Sequence, residues 1–318
     1  MDTPPLSPAS HPAPSAKTMG RRNFLRTSAV LTTGLAALAA SLKPLLEMND
    51  FPTMERFLQK YYKEMTPEDM KKVLARIENE VEQQYKLRPH VRDLKPMDGV
   101  EYVYCLNLTR CIGCRKCVHA CVAENNQSRD PEIQYIRVLR LPDGSLDVDK
   151  AEHFYAPPSV PEKGFFYMPV QCQQCKHPPC VKVCPVHATW QEKDGITVVD
   201  YDWCIGCRYC EAACPYWARR FNFTKPSIPP ERLNLDMSYL GNRPRRQGVM
   251  EKCHFCIQRA RAGRYPACLE VCPAGARKFG NILDPASEVS YILKSKRVFI
   301  QLKEEMGTSP RFFYYFDV

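Results

Sequence analysis

Residues 204–215 read Cys-Ile-Gly-Cys-Arg-Tyr-Cys-Glu-Ala-Ala-Cys-Pro, which spaces four cysteines as C-x2-C-x2-C-x3-C before a proline. The same spacing recurs at residues 111–121, where Val122 stands in place of the proline. Residues 172–185 and 253–273 keep the first pair, the last gap and the proline, but lengthen the middle gap. In chain order we name these segments runs one to four. They hold 16 of the 17 cysteines, so cysteine chemistry decides the fold.

The spacing within the runs distinguishes three kinds of cysteine chemistry. Cysteines two residues apart are poorly placed to form disulfides with each other, and secreted disulfide proteins scatter their cysteines. Zinc sites use C-x2-C pairs, but rarely with a third cysteine at x2 and a fourth at x3 before proline. That arrangement is typical of bacterial ferredoxins, in which the fourth cysteine binds the other cluster of a pair. The sequence therefore predicts four [4Fe–4S] clusters, with a zinc-stabilised scaffold as an alternative.

The lengths of the linkers predict which runs share clusters. Only 19 residues join runs two and three, and they contain Asp194-Gly195, a hairpin signal. Linkers of 50 and 38 residues separate run one from run two and run three from run four. We therefore pair the inner runs, which leaves the outer runs to pair. The predicted ligand sets are Cys111, Cys114, Cys117 and Cys272; Cys121, Cys253, Cys256 and Cys268; Cys172, Cys175, Cys180 and Cys214; and Cys184, Cys204, Cys207 and Cys210.

Composition and charge exclude several classes of protein. Hydrophobic residues make up 44% and charged residues 25%, as in ordinary folded proteins. No apolar run reaches the length of a membrane span, which excludes a polytopic membrane protein. The net charge of +10 suggests nucleic acid or an acidic membrane as partner. Four clusters with thiolate ligands would each add roughly two negative charges and cancel most of it. We therefore expect no nucleic-acid partner.

The first 42 residues predict export. Paired arginines, Arg21 and Arg22, precede Phe24-Leu25 and a weakly apolar stretch at residues 29–42. This order is typical of a twin-arginine signal, whose route carries folded proteins. A protein that acquires its metal in the cytoplasm and works outside it needs that route. We expect a periplasmic protein, and leave open whether the signal is cleaved or kept as an anchor.

The rest of the chain predicts an α+β fold with a helical extension at residues 43–100. Thr66-Pro67-Glu68-Asp69 is a helix start, and apolar residues follow at spacings of three and four. That apolar stripe could pack on its own domain or on a partner subunit. From residue 100 onward the pattern is of short strands and turns. Two ferredoxin-like lobes are predicted, one at residues 101–140 and 245–285 and the other at residues 165–225.

Two segments outside the runs carry further predictions. Residues 225–250 are rich in proline and arginine and suggest a surface excursion. Residues 286–318 form a tail with one short helix and an aromatic end, Phe312-Phe313-Tyr314-Tyr315-Phe316. An end so aromatic packs either on its own core or on a partner. Cys105, outside the runs, is expected to be a buried thiol without function.

The chain resembles the four-cluster ferredoxin-like subunits of the molybdopterin oxidoreductase family, from about residue 100 onward. That family includes dimethyl sulfoxide, polysulfide, tetrathionate and nitrite reductases, and the ferredoxin subunit of periplasmic nickel–iron hydrogenases is similar. The resemblance rests on runs two and three, His177-Pro178-Pro179, and residues 252–256, 266–277 and 307–314. Residues 43–100 are expected to lie outside it.

The resemblance implies electron transfer between two partner subunits. One is a catalytic subunit of molybdopterin or nickel–iron type, and the other is an integral-membrane subunit that handles quinone, through which this chain would lie on the membrane. The sequence has no nucleotide fingerprint and no catalytic constellation, so we predict a non-catalytic subunit of an oxidoreductase complex. A free-standing periplasmic polyferredoxin is the alternative.

Overall fold

The computed structural model describes residues 65–295 and 299–317. The predicted twin-arginine signal and the first part of the predicted helical extension lie outside these residues. Mixed helices and strands confirm the α+β class. No helix in the described part of the chain is long and apolar enough to span a bilayer.

Helix α1 (Pro67–Tyr85) begins where the sequence predicts. The Thr66 hydroxyl accepts a hydrogen bond from the Asp69 amide, and the Asp69 carboxylate accepts one from the Thr66 amide, each at 3.2 Å. This reciprocal cap satisfies two amides that the first helical turn leaves free. The apolar stripe ends in Ile77, Val81 and Tyr85, which are buried in the main core of the described residues. The stripe therefore packs on the chain's own core.

The central sheet has four strands, which lie in the order Arg277–Asn281 (β10), Tyr102–Asn107 (β2), Phe312–Tyr315 (β12) and Phe299–Ile300 (β11). Strand β2 (Tyr102–Asn107) is buried at every position, because both its faces are covered. Strand β10 (Arg277–Asn281) pairs antiparallel on one side, and β12 (Phe312–Tyr315) pairs parallel on the other. The short β11 (Phe299–Ile300) completes the edge. The aromatic end of the tail thus lies inside the chain's own sheet, and Cys105 is buried on β2 as predicted.

Pairs of short strands surround this sheet. The predicted hairpin at Asp194-Gly195 is confirmed, because Thr189–Gln191 (β5) and Thr197–Val199 (β6) pair antiparallel around it. The other pairs are Arg137–Pro142 (β3) with Phe165–Val170 (β4), Arg219–Phe221 (β7) with Met250–Lys252 (β9), and His90–Arg92 (β1) with Asp236–Ser238 (β8).

The prediction of a surface excursion at residues 225–250 holds for the largely exposed first half of the segment and is wrong for the second half. Strand β8 lies in this segment, and Met237 and Tyr239 on either side of its end are buried. Arg245, which suggested a solvated surface, is buried in an ion pair with Glu251 at 3.1 Å. Polar composition misled the prediction, since a paired guanidinium can be buried where its charge is balanced.

The remaining helices are short and most lie next to the cysteines. They are Lys116–Glu124 (α2), Pro179–Lys182 (α3), Tyr209–Ala212 (α4), Ile257–Ala260 (α5), Ala267–Glu270 (α6) and Glu288–Ser295 (α7), with single 3₁₀ turns at Pro157–Ser159, Pro230–Arg232 and Glu304–Met306. Helix α2 packs on α6, and α3 packs on α4. Run one therefore lies against run four, and run two against run three.

Candidate metal centres

Sixteen cysteines gather into four groups of four, which we name quartets A to D. Quartet A is Cys111, Cys114, Cys117 and Cys272; quartet B is Cys121, Cys253, Cys256 and Cys268; quartet C is Cys172, Cys175, Cys180 and Cys214; and quartet D is Cys184, Cys204, Cys207 and Cys210. Each quartet takes three cysteines from one run and one from another run. The structure thus brings together the same residues that the linker lengths group.

Quartet A surrounds a cavity of about 380 Å³, and quartets C and D surround cavities of about 350 and 330 Å³. Each cavity has a sharp loop on one side and a short helix or the turn after it on the other. In quartets A and D the loop contains a glycine at positive φ, Gly113 at +71° and Gly206 at +72°. A side chain at Gly113 would collide with the Tyr167 ring, and one at Gly206 with the Gly248 carbonyl oxygen. Glycine is therefore required twice over, by conformation and by space.

Quartet B lies deepest, and all four of its cysteines are buried. The Asn125 amide nitrogen lies 3.5 Å from the Cys121 sulfur and 3.6 Å from the Cys256 sulfur. The Gln127 amide donates to Cys121 at 3.3 Å. On the opposite side the Tyr104 hydroxyl lies 3.3 Å from the Cys268 sulfur. Buried donors of this kind stabilise thiolates and raise the potential of a metal bound to them.

The quartets follow one another in the order A, B, C, D. Three pairs of cysteines from neighbouring quartets lie close enough to repel each other as thiolates: Cys117 with Cys268, Cys253 with Cys172, and Cys180 with Cys210. The first contact joins quartets A and B, the second joins B and C, and the third joins C and D, so the sixteen sulfurs form one continuous row.

Burial dominates the acid–base behaviour of these thiols. It raises the pKa of Cys111, Cys175 and Cys253 to about 12, and that of Cys210 to about 11. Neighbouring thiolates add to the rise, for example Cys172 beside Cys253. Each of these four thiols is neutral at pH 7 when it is free, so a metal that binds must displace its proton.

The donor sets suit an iron–sulfur cluster better than a single zinc ion. A zinc ion would draw its four sulfurs to about 2.3 Å from one centre. Within residues 65–295 and 299–317, no group of three or more histidine, cysteine or acidic side chains has the spacing to hold a single metal ion. Four cysteine sulfurs around one cavity, three from a run and one from its partner run, are the donor set of a [4Fe–4S] cubane.

The sequence interpretation missed two arginines that line these cavities. Arg277 lines the cavity of quartet A, and Arg219 lines the cavities of both quartets C and D. A signal for both was present, because runs three and four each end in Cys-Pro-x-x-Ala-Arg. Net charge alone indicates only a general balance against the clusters and does not identify these two positions.

Comparison with known proteins identifies the domains that contain the quartets. A family described as a 4Fe-4S dicluster domain matches residues 164–228 and 240–282, and a second family with the same description matches residues 110–188. A selenate reductase subunit of Mesobacillus selenatarsenatis is 34% identical over 94% of this chain and 97% of that protein. The putative dimethyl sulfoxide reductase iron-sulfur subunit of Halobacterium salinarum is 42% identical over 67% of this chain and 78% of its own length.

A third relative is named as a subunit of a menaquinol oxidoreductase. The Hdr-like menaquinol oxidoreductase iron-sulfur subunit 1 of Archaeoglobus fulgidus is 39% identical over 62% of this chain and 71% of that protein. The selenate reductase match also corrects the expected limit of the resemblance at residue 100. A match over 94% of the chain includes most of residues 43–100, so the extension has a counterpart in that relative.

Proposed function

Since the chain belongs to the family of 4Fe–4S dicluster iron–sulfur subunits of oxidoreductase complexes, we propose that it holds four [4Fe–4S] clusters and serves as the electron-relay subunit of a periplasm-facing complex. The observation that carries the proposal is the row of four cysteine quartets in one chain. When bound, such clusters supply one-electron redox chemistry. The protein's own residues determine where that chemistry takes place.

Each quartet would hold one cluster, with three ligands from one run and one from its partner run. The sets are those of quartets A to D. Packing of α2 on α6 and of α3 on α4 supports two ferredoxin-like lobes, one built from runs one and four and the other from runs two and three. Quartet B is enclosed, whereas Cys207 of quartet D is exposed at the end of the row. Burial of quartet B in the middle of the row excludes water from it, and exposure of Cys207 at one end of the row leaves a point of contact for a partner.

The partners are proposed from the family and from the relatives' names. We propose a catalytic subunit of molybdopterin or nickel–iron type at one end of the row. Menaquinol in the name of one relative supports a quinone-linked membrane subunit at the other end.

A free-standing polyferredoxin would have neither partner. Purification of the untagged native protein distinguishes the two proposals. Co-purifying subunits support the complex, and a lone chain with full iron supports the polyferredoxin.

Anaerobic metal analysis tests the cofactor content. We expect about 16 iron atoms and 16 acid-labile sulfides per chain, because four complete quartets are present. The measurement is iron by plasma mass spectrometry and sulfide by colorimetry on the same sample, with EPR spin counts after reduction. A protein with half that iron would hold two clusters, and one with zinc and no sulfide would be a scaffold. Either result contradicts the proposal.

A further inference from the structure

Arg277 lies between quartets A and B with its guanidinium aimed at sulfurs of both. Its Nη2 lies 3.4 Å from the Cys117 sulfur of quartet A, and its Nη1 lies 3.8 Å from the Cys268 sulfur of quartet B. Nη1 also donates to the Gln171 amide oxygen at 3.0 Å. The side chain is 3% exposed. Within the described part of the chain, no carboxylate lies within ion-pair distance of it.

Arg219 occupies the corresponding place between quartets C and D. It lines both cavities and is 1% exposed, which makes it one of the largest fully buried side chains described. Its Nη2 donates to the Thr189 hydroxyl at 2.9 Å, whereas Nε and Nη1 have no hydrogen-bond partner among the described residues. Two unpartnered donors on a buried cation are costly unless a negative group lies beside them. Here the guanidinium interacts with the Cys180 sulfur of quartet C, to which it also hydrogen-bonds, and with the Cys210 sulfur of quartet D.

The two arginines are equivalent in sequence and in structure. Each is the fifth residue after the last cysteine of its run, in Cys-Pro-x-x-Ala-Arg, and each is the first residue of a strand, β10 or β7. Burial lowers the pKa of both groups, but the neighbouring thiolates more than offset this and raise it above the ordinary value. Both side chains therefore stay charged at every pH at which the protein is folded.

We propose that Arg277 and Arg219 set the reduction potentials of the clusters in pairs, Arg277 for quartets A and B and Arg219 for quartets C and D. This inference rests on the proposed function. Reduction of a cluster adds one electron, breaks no bond and takes up no proton at arginine, which does not deprotonate in proteins. A fixed positive charge at low dielectric stabilises the added negative charge and so raises the potential. One guanidinium shared by two quartets raises both potentials together.

Redox titration followed by EPR tests the proposal. Arg277→Gln keeps hydrogen-bond donors but removes the charge, and we expect the reduced-to-oxidised ratio of two clusters to fall at least tenfold at a fixed potential. For one electron that fall corresponds to about 59 mV. Arg219→Gln should shift the other two clusters and leave the first two unchanged. The matched control is Arg92→Gln, which removes a partly exposed arginine that lies outside all four runs and pairs with Asp236 at 2.7 Å.

Several outcomes would overturn the inference. Variants with full iron and unchanged potentials would show that the arginines act only in folding, and an equal shift of all four clusters would show a general effect of charge. If Arg277→Gln does not assemble its clusters, Arg219→Gln tests the inference by itself, because the potentials of the clusters in quartets C and D should both fall. Unchanged potentials in that variant also overturn the inference. Wild-type protein without four clusters would instead contradict the proposed function.

Discussion

At the scale of single residues, the loops of the runs depend on glycines that nothing larger can replace. Gly206 lies at φ +72°, and the Gly248 carbonyl oxygen occupies the place where a Cβ would stand. Left-handed backbone alone costs an ordinary residue about 1–2 kcal/mol. A collision with backbone adds to this, because neither partner can rotate away. The loop that presents Cys204 and Cys207 must therefore change shape if residue 206 gains a side chain.

We predict that Gly206→Ala removes one cluster of the four. The expected result is loss of about a quarter of the iron, with the cluster of quartet D affected. Iron analysis and EPR spin counts measure it. The control is Gly144→Ala, where φ is +80° but no atom lies within 4 Å of the added Cβ. Full iron in the Gly206 variant, or an equal loss in both variants, would contradict the steric argument.

Cys105 shows how a cysteine outside the quartets should behave. It is fully buried on β2 beside Val103, Val289 and Ile292, and burial raises its pKa to about 12. Alkylating reagents attack the thiolate, which is negligible at pH 8 for such a group. We predict that iodoacetamide at pH 8 leaves Cys105 unmodified in the native holoprotein and modifies it in guanidinium, as read by peptide mass spectrometry. Cys105→Ala should keep full iron. Stoichiometric labelling of the native protein would show that β2 opens.

At the scale of elements, the short helices after each loop carry ligands across to the partner run. Cys214 lies two residues after α4 (Tyr209–Ala212) and lines the cavity of quartet C with Cys172 and Cys175, not the cavity of its own run. Its sulfur accepts a hydrogen bond from the Ala218 amide at 3.5 Å, which fixes its direction. A helix of one turn is enough to send the last cysteine of a run away from the first three.

We predict that Cys214→Ser changes the same EPR signal as Cys175→Ser. A serine oxygen in place of the sulfur shifts the potential of that cluster or leaves it with three irons. The matched control is Cys207→Ser, in the run of Cys214 but in quartet D, which should change a different signal. Should Cys214→Ser and Cys207→Ser instead alter one signal, each run holds its own cluster and the crossed arrangement is wrong.

The helices and strands also show which features of the fold can be predicted from the sequence. The α1 cap and the β5–β6 hairpin were predictable, because each is decided by a few neighbouring residues: Thr66 with Asp69, and Asp194 with Gly195. The parallel pairing of β12 with β2 was not, since these strands are about two hundred residues apart and no local pattern encodes their contact. The buried state of Arg245 was missed because the pair it forms with Glu251 is completed by the Tyr135 hydroxyl, which bonds to both side chains and lies 110 residues from Arg245.

At the scale of the whole molecule, the grouping of the sixteen cysteines could be predicted while their environment could not. The lengths of three linkers predict which runs lie close, and the ferredoxin spacing assigns one cysteine of each run to the partner run, so the four sets could be predicted together. The linear order of the quartets and the arginines between them depend on how the sheet and the strand pairs pack. That packing comes from contacts such as Arg277 with Cys117, which join parts of the chain 160 residues apart.

Export is the prediction that concerns the whole chain. We predict that replacing Arg21 and Arg22 together by lysine leaves the protein in the cytoplasm, because the paired arginines are read by the transport receptor. Cell fractionation followed by immunoblotting measures this, with a periplasmic and a cytoplasmic marker in each sample. Lys17→Arg, which keeps the charge near the pair, is the control and should be exported normally. Periplasmic accumulation of the double-lysine protein would contradict export by this route.

The place of β12 in the sheet has a consequence for how the protein is made. Strand β12 lies between β2 and β11, yet the ribosome synthesises it after all four runs. During translation β2 therefore lacks its parallel neighbour, and the Tyr104 ring lacks the Phe312 ring that stacks on it at 4.8 Å. A nascent chain truncated before residue 312 would carry every cysteine and still expose one edge of its central sheet. A complete set of cysteines is therefore not enough to complete the fold, because the last strand of the sheet is also the last to be synthesised.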